Sequence, residues 1–538
     1  MNKKIRKIVS AALAAAIIAS MLGTTACNMQ EQVPSSDASS KSEAAASAAS
    51  ASDSEATTAT TTTATETTEA TTATTETTRD PSAGTPETTL KPPAATDEIM
   101  LVGDKEFFTP FKDPAHSYCS INDGFGAPLR EQGWGGCYAY SAVTCMQVKY
   151  LKDHGELIDL NPVDIIDRIY EGPDMLTGEE PEQDEEKIYI SSGLNTDLAG
   201  DPEFVNGSLT SDPLNGLLME ESCLLGTYKM EIPFINKLKL EDVKDAIKEY
   251  GALSCLINYQ KGCKTIRGYY TQNYQDNGND TDHLATIIGW DDNFPKEGFK
   301  TPASRNGAWL VQNSFGEFWG NMGYYWISYD MPLPAIYSYK VTKDYSSAVS
   351  YGKYADAYVI SPDIIKKAGK VMNPSKVTIK DMIKADEVVS ATVYDVPGSI
   401  AAIGINTLLP NQPYTIEILD GEFGEVLATM KGKQKRIGYH TVKLDTPVKA
   451  EKYTVVVKLP GEAAFEGAAE DINVYTVFQK IPARYAVTTE PGRSFIKIKD
   501  EWVDVTEPDI KSRLGLDGAL YFDDFTEPGD PCITVLFE

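Results

Sequence analysis

Three residues of this 538-residue chain carry groups that together could perform nucleophilic acyl chemistry. Cys137 ends the segment Gln132-Gly-Trp-Gly-Gly-Cys137, and His283 and Asn313 follow much later in the chain. A thiol attacks a carbonyl only as the thiolate, so it needs a base nearby. An imidazole can take that proton when a third group fixes its tautomer and orientation. The pattern therefore predicts a Cys-His-Asn site.

The elements predicted around these residues would hold them in place. Apolar residues recur at three- and four-residue spacing over Cys137–Lys152, which predicts a helix that Gly155 ends. A thiol at the first residue of a helix is favoured as the anion by the positive end of the helix dipole. His283 opens a strongly apolar stretch, and Asn313 directly follows another. We therefore expect a helix tip to face the ends of two strands.

The rest of the chain divides into two regions with different sequence patterns. From about Met100 to Tyr345 it alternates helix and strand patterns, which indicates an α+β region. Its further elements are predicted at Leu240–Tyr250 (helix), Ala252–Asn258, Leu284–Trp290, Ala308–Gln312 and Gly323–Tyr329 (strands). After Ser346, short β-branched runs separated by turn residues predict an all-β sandwich. Those strands are Val388–Tyr394, Ala401–Asn406, Tyr414–Leu419, His440–Leu444 and Tyr453–Leu459.

Four segments in order resemble the papain family of cysteine peptidases. They are Gln132 and glycines before Cys137-Tyr-Ala-Tyr-Ser, Gly251-Ala-Leu-Ser, a strand opening with His283, and Asn313-Ser-Phe-Gly followed by Trp-Gly and a Gly-Tyr strand. The resemblance implies a two-lobed fold, with a helical half carrying the cysteine and a β-rich half carrying the histidine. Exported bacterial peptidases similar to this family often carry a lectin-like β-domain behind the catalytic one.

The resemblance also implies a role for each site residue. Cys137 would attack the scissile carbonyl, His283 would form the ion pair with it, and Asn313 would hold the imidazole. Gln132 and the backbone N–H of Cys137 would form the oxyanion hole. Gln132 lies five residues before the cysteine, where the family commonly has six, so the oxyanion geometry departs from the pattern.

Four further residues are expected near the substrate by the same resemblance. Ser192 and Gly193 correspond to the stretch that pairs with the substrate backbone, and Phe315 and Trp319 to the wall of the cleft. Phe315 stands where the family has the tryptophan that shields the His–Asn hydrogen bond. The residue after the cysteine is likewise replaced, by Tyr138. Because of these two replacements, the alternative that the domain has lost its activity stays open.

The N-terminus has the layout of a secretory signal. Basic residues precede an apolar run over Ile8–Leu22, and small residues then lead to Cys27. It resembles a bacterial lipoprotein signal, in which that cysteine is lipid-modified and anchors the protein to the outer face of the membrane. We therefore expect a signal at 1–27, a disordered Ser/Thr-rich stalk at 28–98, the peptidase domain at 99–345 and the sandwich at 346–538.

Charge and cysteine spacing exclude several functions. The chain has 49 Lys+Arg against 78 Asp+Glu, a net charge of −29, which disfavours nucleic acid and anionic lipid as partners. No paired histidines or Cys-x-x-Cys spacing suggest a metal, and no cofactor motif occurs. No second apolar stretch is long enough to span a bilayer, so membrane contact is expected only through the N-terminal lipid.

The leading hypothesis is thus an exported, cell-surface cysteine endopeptidase that cleaves protein or peptide substrates through a thioester. One alternative is a catalytically impaired adhesin or binding protein. Another is an envelope Cys-His amidase acting on peptidoglycan peptides, which the Asn313 segment argues against, because such enzymes usually use another polar residue or a second histidine. The sandwich domain could bind a carbohydrate or a surface protein, or serve only as a structural companion.

Overall fold

The predicted α+β region is present in the computed structural model. The structure describes residues 111, 113–132, 137–162, 188–190, 217–231, 235–259, 264–266, 269–273, 283–352, 357–360, 387–407, 409–460, 462–475, 480–485, 489–498, 500–513 and 525–538. The predicted lipidation site Cys27, the predicted stalk, Ser192 and Gly193 lie outside these residues. Within them, none of the helices has the length and apolarity needed to cross a membrane.

The described residues of the first part of the chain form two α-helices, a short 3₁₀ helix and eleven strands. The helices are α1 (Cys137–His154), α2 (Leu240–Tyr250) and the 3₁₀ turn Lys296–Gly298. The strands are β1 (Ser117–Cys119), β2 (Ile188–Ile190), β3 (Leu218–Tyr228), β4 (Lys237–Leu238), β5 (Leu253–Ile257), β6 (Lys264–Ile266), β7 (Tyr269–Gln272), β8 (His283–Asp291), β9 (Ala308–Gln312), β10 (Tyr324–Ser328) and β11 (Leu333–Thr342).

Helix α1 is buried on nearly every side, from Cys137 to Leu151, as expected of a helix enclosed by its domain. It ends as predicted at Gly155, whose φ of +71° favours glycine and whose N–H donates to the Leu151 carbonyl at 2.8 Å. The helix packs against β5, β8 and β11. It therefore places its first residue beside the sheet that carries His283.

The strands that carry the site pair antiparallel in the order β5-β8-β9-β10. Ile257 of β5 lies opposite His283 at the start of β8, and Gln312 at the end of β9 lies opposite Thr286. Because neighbouring antiparallel strands run in opposite directions, the start of β8 and the end of β9 reach the same edge of the sheet. His283 and Asn313 therefore meet there, as the sequence predicts.

The C-terminal region forms the predicted sandwich. Its strands are β12 (Ser347–Ser350), β13 (Ala357–Ile360), β14 (Glu387–Tyr394), β15 (Gly398–Thr407), β16 (Gln412–Asp420), β17 (Val426–Gln434), β18 (Ile437–Ala450), β19 (Tyr453–Pro460), β20 (Glu462–Tyr475), β21 (Lys480–Tyr485), β22 (Ser494–Ile498), β23 (Glu501–Asp504), β24 (Phe525–Pro531) and β25 (Ile533–Phe537), with a short helix α3 (Ile510–Arg513). One layer is a six-stranded sheet in the order β17-β16-β19-β14-β22-β23. Its inner face packs on β15, β18 and β25 around a shared apolar core.

A continuous sheet joins the two regions, which the sequence did not predict. Strand β18 pairs antiparallel with β3, with His440 opposite Glu221 and Gly438 opposite Cys223. Strand β3 in turn pairs with β11, so the sheet of the first region continues into β18, β15, β25 and β12. The sequence of β3, with two glutamates and a serine at its centre, does not alternate as a half-buried strand would. Its pairing partner lies too far along the chain to read from the sequence.

The buried His440 at this junction should make folding stability depend on pH. Its Nε2 lies 3.0 Å from the Arg436 carbonyl, and burial lowers the pKa of its imidazole to about 4. Since an unfolded histidine titrates near 6.5, the unfolded chain binds a proton first as the pH falls. The stabilisation from neutral His440 is full above about pH 6.5 and is lost as the pH falls through 4, a difference of about 3 kcal/mol.

Urea unfolding at pH 7 and pH 4 measures this effect, and His440→Gln should shrink the difference between the two pH values. Burial raises the pKa of the facing Glu221, which acts with the opposite sign, so the comparison with the variant isolates the histidine. An unchanged pH difference in His440→Gln would contradict the prediction.

Candidate active site

The centre of the site is a buried hydrogen bond between His283 and Asn313. The imidazole Nε2 lies 2.8 Å from the amide Oδ1, and both side chains are almost fully buried. An amide oxygen can only accept, so Nε2 carries the proton and neutral His283 has Nδ1 as its basic nitrogen. The Ser314 backbone N–H also donates to Oδ1, at 3.0 Å, and holds the amide in place. The imidazole is therefore fixed in the tautomer that can accept a proton from a thiol.

Aromatic rings cover this hydrogen bond. The Phe315 ring stacks on the His283 ring with centroids 5.1 Å apart, and the Tyr259 ring lies 5.4 Å from both. Trp319 packs edge-on against Phe315 at 5.5 Å. Phe315 and Tyr259 thus contact the imidazole directly, and Trp319 packs against both of those rings. Tyr259 belongs to no motif that predicts this position, and it lies two residues after Ile257, the cross-strand partner of His283.

Cys137 is the first residue of α1, and the first turns of that helix lie beside the start of β8. Ser141 on α1 brings its Oγ within 2.8 Å of Thr286 Oγ1 on β8 and within 2.8 Å of Ser254 Oγ on β5. The first turn of α1 contains no acidic residue, so the positive end of the helix dipole is not neutralised there. Cys137 itself is 1% exposed. The thiol therefore lies at the positive end of the helix dipole, enclosed by the surrounding domain.

Gln132 is held by the segment that follows Asn313, although its spacing from Cys137 is unusual. The Gln132 backbone N–H donates to the Ser314 carbonyl at 2.8 Å, and Ser314 Oγ donates to Gln132 Oε1 at 2.5 Å. Glu131 forms a β-bridge with Phe315 next to this pair. With Oε1 directed at Ser314, the Nε2 end of the amide, which carries two N–H donors, points the other way.

A half-buried arginine links the same segment to α1. Arg130 Nη1 donates to Gln147 Oε1 on α1 at 2.8 Å, and Nη2 donates to the Leu160 carbonyl at 2.9 Å. The backbone carbonyl of Arg130 accepts from the Gly316 N–H at 2.9 Å. Arg130 therefore links the helix that carries Cys137 to the segment after Asn313. Nothing in its local sequence distinguishes it from a surface arginine.

Four other described cysteines are buried within the apolar core. Burial raises the pKa of the Cys119 thiol to about 12, and it also raises the thiol pKa of Cys145, Cys223 and Cys255. Within the described residues, no three His, Cys, Asp or Glu side chains are grouped so that they could hold a metal ion.

Removing the Phe315 ring should weaken the site by admitting water to the His283–Asn313 hydrogen bond. Phe315→Ala is expected to lower kcat/KM for a peptide substrate about fivefold, because a buried hydrogen bond of about 1 kcal/mol would then compete with water. Phe315→Trp should retain activity. Phe318→Ala is the matched control, since Phe318 lies in the same loop with its side chain 94% exposed. Equal losses in both alanine variants would contradict a shielding role.

Two family descriptions match parts of the chain. Residues 126–346 match the Papain family cysteine protease, and residues 377–514 match the Lectin like domain. Cathepsin K of Mus musculus is 26% identical over 223 residues, which cover 37% of this chain and 56% of the relative. The viral cathepsin of Heliothis zea nuclear polyhedrosis virus is 23% identical over 214 residues. The chain spans about half the length of the curated relatives it matches.

Solved structures extend the likeness across both regions. The clostridial cysteine protease Cwp84 after propeptide cleavage matches with a TM-score of 0.55 and 17% identity, covering 78% of this chain and 99% of that one. A structure of the cysteine protease and lectin-like domains of Cwp84, a surface layer associated protein of Clostridium difficile, matches with a TM-score of 0.54 and 16% identity, covering 80% and 89%. At these identities the likeness shows a shared fold.

Proposed function

Because the chain contains a papain-family cysteine peptidase domain followed by a lectin-like domain, we propose that it is an exported, cell-surface cysteine endopeptidase. The observation that carries the proposal is the shielded His283–Asn313 hydrogen bond beside the helix that begins at Cys137. This arrangement supplies a fixed base and a helix end for a thiolate. An envelope amidase is disfavoured, since Asn313 occupies the third position.

In the proposed mechanism, Nδ1 of His283 takes the Cys137 proton and the thiolate attacks the scissile carbonyl. The oxyanion of the tetrahedral intermediate accepts hydrogen bonds from Gln132 Nε2 and the Cys137 backbone N–H. As the C–N bond breaks, the imidazolium gives its proton to the leaving amine, and a thioester acyl-enzyme remains. Water, deprotonated by His283, then attacks the thioester and releases the acid. Asn313 keeps the imidazole in position throughout.

The proposed location follows from the N-terminus. The basic residues, the apolar run over Ile8–Leu22 and the small residues before Cys27 support export and lipid attachment at that cysteine. We propose that 1–27 is the signal, that 28–98 is a stalk, and that the peptidase domain (99–345) and the sandwich (346–538) form the surface-exposed part. Its substrates would be proteins or peptides outside the cell, and the sandwich would bind a carbohydrate or a surface protein.

Cleavage of a mixed peptide library by the purified protein tests the proposal. Mass spectrometry should detect new termini inside peptides, and an epoxide inhibitor that alkylates thiols should prevent their appearance. Labelling stoichiometric with protein, at Cys137 alone, is expected. A protein that neither cleaves nor labels would instead be the impaired adhesin that the replaced aromatic residues allow.

A further inference from the structure

The outer face of the six-stranded sheet carries a row of lysines that crosses the sheet. Lys431 of the edge strand β17 lies opposite Thr415 of β16. Thr415 in turn lies opposite Lys458 of β19, and Lys458 lies opposite Val389 of β14. Directly paired residues of antiparallel strands point to the same face. The row therefore places two ammonium groups on one face, separated by a single strand.

The row continues on the far strands. Ala391 lies two residues after Val389 on β14, and it is paired with Phe495 of β22. Lys497 lies two residues after Phe495. Because side chains two residues apart on a strand point to the same side, all of these residues share one face. Lys497 lies opposite Trp502 of the other edge strand, β23. We name the set formed by Lys431, Lys458 and Lys497 the lysine row. The inner face of the same strands is filled by the sandwich core, so this outer face is the one that can meet a partner.

The lysine row stands out against the acidity of the whole chain. Residues 426–443 contain five basic residues and no Asp or Glu, in a chain of net charge −29. Lys431 and Lys433 are exposed, and among the described residues neither has an ion-pair partner. Their side chains emerge from β17 about 7 Å apart. The edge strand therefore presents positive charge that the described part of the protein does not neutralise.

Protection of a sheet edge does not account for this arrangement. Lysines on an edge strand often prevent pairing with another chain, which would explain Lys431 and Lys433 alone. Lys458 and Lys497, however, lie on the interior strands β19 and β22. Lys458 makes one ion pair, with Glu417 at 3.0 Å, and Lys497 lies 3.9 Å from Asp500. An interior lysine row is better explained by an anionic partner lying across the strands.

An apolar floor lies beside the row on the same face. Phe423 packs against Phe495 and Trp502 with ring centroids 5.2 and 4.9 Å apart, above the side chains of a small apolar cluster that includes Leu419 and Val456. Phe423 keeps a left-handed φ of +59°, which most residues avoid, and its N–H donates to Thr454 Oγ1 at 3.1 Å. Phe495 and Trp502 remain partly exposed. The face thus offers aromatic surface next to ammonium groups.

We propose that this face binds an acidic polysaccharide, a polymer that carries a carboxylate on its repeating sugars. Lysines would pair with the carboxylates, and the partly exposed rings would pack against the apolar faces of the sugars. The lectin-like match over residues 377–514 covers every strand of this sheet. The inference deepens the binding role proposed for the sandwich and rests on that part of the proposed function, but not on peptidase activity.

Binding of the whole protein to immobilised polygalacturonate, with neutral dextran as the comparison, tests the inference. The triple variant Lys431→Gln, Lys458→Gln, Lys497→Gln should bind at least about thirtyfold more weakly, because three charge contacts are lost. A triple arginine variant at the same positions should retain binding. The matched control removes three exposed lysines outside this segment, Lys248→Gln, Lys300→Gln and Lys449→Gln, and should bind as the unmodified protein does.

Salt dependence gives a second reading. Raising the salt from about 50 to about 200 mM should weaken binding of the unmodified protein on the order of tenfold, and the triple glutamine variant should lose most of that dependence. Equal binding to dextran, equal weakening in the control triple, or equally tight binding of double-stranded DNA would each overturn the inference. Peptide cleavage is measured on the same preparations, so that failure of polysaccharide binding can be distinguished from failure of the peptidase proposal.

Discussion

Replacing Cys137 with alanine is expected to lower peptide hydrolysis by a factor on the order of 10⁴ or more. In the proposed mechanism the thiolate forms the covalent bond to the substrate, and neither His283 nor the oxyanion donors could replace that step. The residual rate would come from binding and from the oxyanion donors alone. His283→Ala should cause a loss of similar size, because the thiol then lacks its base. The pair acts as a unit, so the double variant should lose little more.

Cys145 provides the matched control for this experiment. It lies on the same helix, fully buried, and burial raises the pKa of its thiol. Cys145→Ala should therefore lower the free energy of unfolding modestly and leave kcat/KM within about twofold. The measurements are kcat/KM on one internally quenched peptide and the urea midpoint of each variant. Retained hydrolysis in a folded Cys137→Ala protein would contradict the assignment of the nucleophile.

The elements that carry the site were predictable because their signals are local. Helix α2 and strand β9 have the predicted bounds, and α1 begins at the predicted Cys137. The apolar run that follows His283 likewise identified β8. Such segments show their helical or extended periodicity within about ten residues. The two family matches cover residues 126–346 and 377–514, while the boundary near Ser346 stays a prediction.

What the sequence could not supply depends on contacts between distant segments. The pairing of β18 with β3 joins the two regions, yet neither strand indicates its partner. Tyr259 packs on His283 only because β5 lies beside β8. The lysine row is a product of register, since its members come from three strands. Sequence periodicity gives the face of a strand, but not the neighbour that shares it.

Gln132 is positioned by contacts with the segment after Asn313, and not by its sequence spacing from Cys137. It lies five positions before Cys137, but its place is set by the β-bridge between Glu131 and Phe315 and by two hydrogen bonds to Ser314. The Ser314 hydroxyl donates to Oε1, so the donor end of the amide turns away from Ser314. The altered spacing therefore does not by itself argue for an inactive domain. With this spacing, the segment after Asn313 holds Gln132 in place.

Gln132→Ala is accordingly expected to lower kcat by about 10²- to 10³-fold, the usual cost of removing one oxyanion donor. Ser314→Ala should cost less, about tenfold, because the amide is retained but can rotate. Alkylation of Cys137 by iodoacetamide forms no oxyanion, so its rate should be unchanged in both variants. That difference separates oxyanion stabilisation from a structural defect, which would slow both reactions. Slower alkylation in Gln132→Ala would mean that Gln132 supports the thiolate or the loop around it, and that the hole is formed by other donors.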